Sequence, residues 1–282
     1  MSDVARADGK LIPTDMQQAM IVMKYDLLKH LRSRRLLGML AIEALLLILI
    51  SALILEGSEN TFIGAMGGYA SFTSTLIIIA ATLFAGDAIV SEFQSRTGYL
   101  LFPNPVRRSS IFVGKFLSAV LATAIVTVIY YAVAIGVSAI VSNSLEHIDL
   151  AFASLGLALL YGVAAVGVGI LISSFMKGST GSLILTFFLL FLILPAVDNL
   201  FSLVEQSPTI SLTFAAMAIS AVLSIPYPPE TDMITIPVEG FGEFVTYFHT
   251  PSVSTAVLVM IGWILVTVAL AYLAFQRREM TA

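Results

Sequence analysis

Two carboxylates stand inside long apolar runs of this sequence: Glu43, about two turns into the run 36–55, and Asp198, toward the far end of the run 182–203. A charge at the middle of a bilayer costs about 2.5–3.5 kcal/mol on insertion scales. Each acid is therefore either functional or structural, the second meaning a protonated or hydrogen-bonded acid between helices or, for Asp198, a residue at the outer headgroups beside Asn199. For Asp198 the second reading is favoured, because Pro195 kinks its helix and opens the end that also carries Asn199 to water. The remaining reactive residue types form no familiar constellation. Gly114-Lys115 is followed by Phe116 and lacks the earlier glycine of a phosphate-cradling loop. His30, His147 and His249 are far apart, and no His-Glu-x-x-His helix occurs, so no metal centre is expected. Gly86-Asp87 has Phe84 where an intramembrane aspartyl protease needs glycine, and no second aspartate lies at similar depth in a neighbouring run. No Gly-x-Ser-x-Gly turn is present. With no cysteine, thiolate chemistry and disulfides are excluded as well.

The elements that must position these residues are set by composition. Of the 282 residues 58% are hydrophobic and 11% charged, with a mean hydropathy of +0.98, against about 45–50% and about 25% in soluble domains. Apolar runs at 36–55, 66–85, 116–140, 150–173, 182–203 and 253–275 each suffice to cross a bilayer core of about 30 Å. The pattern predicts an all-α membrane protein of six spans. A seventh stretch, 210–225, closes on Pro226, Pro228 and Pro229 and suits a re-entrant or interfacial helix. In the fourth run Ala158 and Gly162, and then Ala165, Gly169 and Ser173, recur four apart, a spacing that permits close helix contact.

Charge supports this count. With six spans the lysines and arginines fall on one side: the segment through Arg35, then Arg96, Arg107, Arg108 and Lys115, then Lys177, then Arg277 and Arg278. The opposite loops carry Glu56, Glu59, Glu146, Asp149, Glu205, Glu230, Asp232, Glu239 and Glu243 without a basic residue. The positive-inside rule makes the basic side, with both termini, cytoplasmic. The domain plan is a cytoplasmic segment 1–35, a six-helix domain 36–275 with a cytoplasmic loop 86–110 and an outer loop 204–252, and a tail 276–282. Ahead of the first span, Met16, Met20, Met23, Leu27 and Leu31 recur at three and four, opposite Gln17, Gln18, Lys24, Asp26 and Lys29. Thr14 and Gln17 form a capping box after Pro13, so an amphipathic helix starts there and lies on the membrane surface or against a partner.

The loop between the second and third runs carries the most specific signal. Glu92, Arg96 and Gly98 are followed by a short apolar segment, a turn at Phe102-Pro103-Asn104-Pro105, the pair Arg107-Arg108 and then Gly114-Lys115. This order resembles the first cytoplasmic loop of ABC-2 type permeases, the membrane subunits of ATP-binding-cassette exporters. The six runs and the amphipathic helix are similar to that family too, so the resemblance covers nearly the whole chain. It implies that Glu92, Arg96 and Gly98 open a coupling helix that docks on an ATPase subunit. It implies also that Pro105, Arg107 or Arg108, and Lys115 correspond to the Pro-x-x-Arg and Gly-Lys leading into the third span. Pro103 departs from the family pattern, which commonly has small polar residues before a single proline. The implied protein is a non-enzymatic exporter permease of the plasma membrane, surrounded by lipid. It would pair as a homodimer or with a homologous permease, with ATP and magnesium on the partner ATPase and no nucleic acid involved. Proton-coupled secondary transport through Glu43 and a non-transporting membrane scaffold are the alternatives; against the former, no inverted repeat is evident.

Overall fold

The computed structural model describes residues 6, 7, 10, 11, 13–57, 61–94, 106–238 and 242–278. Helix α1, Asp15–Leu31, begins at the expected capping box of Thr14 and Gln17. A two-residue antiparallel pairing of β1, Arg6–Ala7, with β2, Lys10–Leu11, precedes it. Ser33 joins α1 to α2, Arg34–Glu56: its hydroxyl donates to the His30 carbonyl and accepts from the Leu36 amide. The other long helices are α3, Phe62–Ala85, α5, Arg108–Ser142, α6, Ile148–Phe175, and α11, Val253–Arg277, with the five-residue α4, Val90–Gln94, between α3 and the loop. The fifth apolar run is α7, Ser179–Phe188, a π-turn Leu189–Ile193, and α8, Leu194–Phe201. Among the described residues six helical segments are thus long and apolar enough to cross a membrane, as the sequence predicts.

A π-turn lies just ahead of Pro195. Proline has no amide to give to the carbonyl four residues back, and the ladder changes register just ahead of it, with the Leu194 amide bonding Leu189. The helix start of the third span differs: α5 begins at Arg108, about two turns before the apolar run at 116, so Lys115 is a helical residue.

Helix α6 is the hub. It packs on α3, α5, α7 and α11, while α2, α7 and α11 leave much of their surface to the surroundings. Its stripe of small residues is buried, and a Cβ on Gly169 would lie 2.9 Å from that of Ala85. The stripe is therefore packing. The stretch 210–225 forms α9, Leu212–Ala216, and α10, Ala218–Ala221, buried against α3, α6 and α11. The Ser154 hydroxyl donates to the Ile219 carbonyl, and the Trp263 indole to that of Ile210. An unanticipated hairpin follows, β3, Thr231–Val238, antiparallel to β4, Gly242–His249. It docks on the end of α8 through the Tyr247 amide and the Ser202 carbonyl.

Candidate functional site

The loop after α3 leaves and re-enters the bundle at the end where the basic residues gather, and both of its roots are held by side chains. On the outgoing root, the Ser173 hydroxyl of α6 accepts from the amides of Ile89 and Val90, each at 3.0 Å, so α6 caps the start of α4. Asp87, just ahead, takes a two-point bond from Arg35 of α2 at 2.8 Å per contact and a third from the Ser179 hydroxyl of α7. Gln94 accepts from the Ser179 amide. A planar guanidinium matched to both carboxylate oxygens is the strong form of such a pair. Helices α2, α3 and α7 meet on this one carboxylate.

On the returning root the unit is Gly114-Lys115. A Cβ on Gly114 would lie 2.7 Å from the Val22 Cβ and 2.8 Å from the Ala19 carbonyl oxygen, so only glycine lets α1 lie this close on α5. The next residue, Lys115, is buried, with its ammonium 2.9 Å from Glu92 and 3.4 Å from Asp26. Lys29 approaches Glu92 at 3.9 Å and His30 approaches Asp26 at 3.5 Å. One cation thereby joins α1, α4 and α5. Burial pushes the Asp26 carboxyl upward, but the close approach of His30 and the charge of Lys115 outweigh it and hold the group well below the usual carboxylate range.

The sequence reading of α1 is corrected by this contact. Gln18 and Asp26, expected on the outer polar face, turn inward: Gln18 accepts from the Arg107 amide and Asp26 meets Lys115, while Met16 and Met20 stay exposed. An amphipathic stripe marks the apolar side, whereas this helix packs through a mixed face of Gln18, Ala19, Val22 and Asp26. Arg107 itself pairs with Asp15 at 2.7 Å on the surface. Arg108 donates to the carbonyls of Gln276 and Arg278. Arg278 in turn caps the end of α6 through the carbonyls of Ser173, Ser174 and Met176 and lies over the Phe93 ring.

Of the residues singled out in the loop, the structure thus brings together Glu92 and Lys115, and sets Arg107 and Arg108 on separate partners. Arg96, Gly98 and Pro105, with the coupling helix itself, lie outside the described residues. The sequence reading missed Asp26, Arg35, Asp87 and Ser179. Asp87 was noticed only as a failed protease motif; its partners lie 52 and 92 residues away, and no local spacing announces them.

The two intramembrane acids separate clearly. Asp198 accepts from the hydroxyls of Ser211 and Thr213 just before and within α9, a structural tie across the outer loop. Glu43 faces inward in line with Met39, Leu47 and Ile50 and is 1% exposed, with no partner for either oxygen. Among the described residues no group of three or more ligating side chains could hold a metal ion.

Six apolar spans around a small-residue hub, with a loop braced at one end, define among the described residues a polytopic helical membrane protein. The comparison with families makes this specific: the chain belongs to the ABC-2 family of transporter proteins, whose model matches residues 20–280. No match was found among curated proteins. As a member, it is a transmembrane permease component of an ABC transporter.

Proposed function

We propose that the chain is the permease subunit of an ABC exporter, working as a dimer with a second permease and energised by a separate ATPase chain that docks on the loop between α3 and α5. The basic end then faces the cytoplasm, in keeping with the positive-inside rule, and the protein resides in the plasma membrane. ATP and magnesium belong to the ATPase, so this chain performs no chemistry of its own.

The observation that carries the proposal is the bracing of the loop. Docking on Arg96, Gly98 and Pro105 would displace a segment whose roots cannot move alone. Glu92 is tied through Lys115 to α5 and α1, and Asp87 ties the outgoing root to α2 and α7. A push on the loop is therefore delivered to several helices together, as rigid-body transport between inward and outward exposure requires. Glu92 and Lys115 act in this as positioning residues and Arg96 as a docking residue.

Proton-driven transport through Glu43 is the second reading, favoured by that residue's unpartnered burial. Vesicles holding the permease and its ATPase distinguish the two. Uptake that needs hydrolysable ATP and survives collapse of the proton gradient is expected. Uptake that ignores ATP and stops with the gradient would overturn the proposal.

A further inference from the structure

Glu43 lies about 13 Å along α2 from Arg34, deep within the first span. Its neighbours on the buried face of α2 are Met39, Leu47 and Ile50, and its side chain is closed in by the packing of α2 on α3 and α5. Such a carboxylate needs a cation, hydrogen-bond donors or a proton. Among the described residues no cation and no donor is bonded to it, and the buried hydroxyls of Thr82 on α3 and of Ser118 and Thr123 on α5 are not turned onto it either. On its own helix, Arg35 is committed to Asp87 in a two-point bond. From α5, Lys115 is committed to Glu92 and Asp26, and from α1, His30 stands with its Nε2 3.5 Å from Asp26.

The other titratable groups in this part of the bundle are tyrosines, and their hydroxyls are engaged. Tyr69 of α3 bonds the Ser51 hydroxyl at 2.6 Å. Tyr130 of α5, within electrostatic reach of Glu43, donates to the Tyr69 carbonyl at 2.9 Å. Tyr131 of α5 shares a hydrogen bond with Ser154. Both oxygens of Glu43 are left without a donor.

We propose that Glu43 is a proton-binding site: it carries a proton at neutral pH, and that proton is the ligand which lets the side chain lie in the seam between α2, α3 and α5. The proton resides on one carboxyl oxygen, leaving the group uncharged in its apolar surroundings. Release of the proton would leave a bare charge that the seam can hold only by admitting water or by parting α2 from α3 and α5. Proton occupancy and the seating of α2 are thus linked. The assignment does not rest on the reading of the chain as an ATPase-driven permease, because it follows from the surroundings of one side chain.

The test is infrared difference spectroscopy on the purified full-length permease in lipid bilayers at neutral pH, comparing wild type with Glu43→Gln. The expected difference is loss of a band in the protonated carboxylic acid carbonyl region, one that shifts on exchange into heavy water. A difference confined to the carboxylate stretching region would overturn the proposal, and a carboxylate band that moves with the sodium or potassium content of the buffer would assign the site to a metal cation instead. Should Glu43→Gln fail to assemble, Glu43→Asp retains the acid and must move the same carbonyl band. In parallel, a hydrophobic carbodiimide, which reacts with protonated buried carboxyls, is expected to leave an adduct on Glu43 in peptide mass spectra.

Discussion

Replacing Lys115 by methionine keeps the length of the side chain and removes the one ammonium joining α1, α4 and α5. Two carboxylates then face each other across the vacated position, with Asp26 and Glu92 side chains only 10% and 18% exposed. Removing one partner of a buried ion pair costs about 3–5 kcal/mol, chiefly because the remaining charge is stranded. Glu92 keeps Lys29 at 3.9 Å, but that lysine is 62% exposed and screened by solvent, so the lower part of this range, about 3 kcal/mol, is expected. The triple change Lys115→Met, Asp26→Asn, Glu92→Gln removes every stranded charge and should recover most of the loss, since a neutral, well-packed replacement of a buried ion pair is often tolerated. Thermal unfolding of the purified permease measures both variants, with a cycle between Lys115 and Glu92 isolating their coupling. Equal stability of the single and triple variants, or a coupling near zero, would refute the view that Lys115 is held there by charge.

Three further outcomes follow from the same region and its opposite end. Gly114→Val places a side chain onto Val22 and the Ala19 carbonyl of α1, an overpacking expected to cost about 1–3 kcal/mol and to raise maleimide labelling of a cysteine placed at Val22; unchanged labelling would contradict it. Because the folded Asp26 carboxyl titrates below its ordinary value, its contribution is fully present above about pH 4 and lost as pH falls further, through the folded value. The seating of α1, read by the mobility of a spin label attached at neutral pH to a cysteine at the exposed Met16, should hold from neutrality down to about pH 4 and loosen only below it; loosening between neutrality and pH 4 would contradict this. In intact cells a single cysteine at Glu146 should react with an impermeant maleimide, and one at Lys177 only after permeabilisation; the reverse pattern would invert the proposed orientation.

The spans were legible because a bilayer sets a minimum apolar length, and the start of α1 because Thr14 and Gln17 satisfy a local capping geometry. Gly114-Lys115 was legible as a motif but not as a device. The glycine's purpose depends on the approach of Val22, and the lysine's on Asp26, which an amphipathic reading assigns to the outer face. Arg35, Asp87 and Ser179 could not be joined from the sequence, because their meeting is decided by helix packing over long separations. The hairpin of Thr231–Val238 and Gly242–His249 was missed for another reason. Its β-branched and aromatic residues, such as Thr235, Val245 and Tyr247, lie in a long outer loop between spans, where the helical period of the apolar runs says nothing about strands. The placement of Glu92 also changes how docking should be tested, since Glu92→Lys would break an internal ion cluster whether or not a partner binds there.

Arg96 avoids that difficulty, and the natural chain has no cysteine to confuse the result. A single cysteine at position 96, in permease purified with the ATPase chain that co-purifies from its native host, should cross-link to that ATPase through a short bifunctional reagent, and the yield should change between ATP-bound and nucleotide-free states. A cysteine at Glu146 in the same complex should give no such product. Cross-linking from 146 but not from 96, or none from 96 in a complex that hydrolyses ATP and transports, would contradict the docking of an ATPase on this loop.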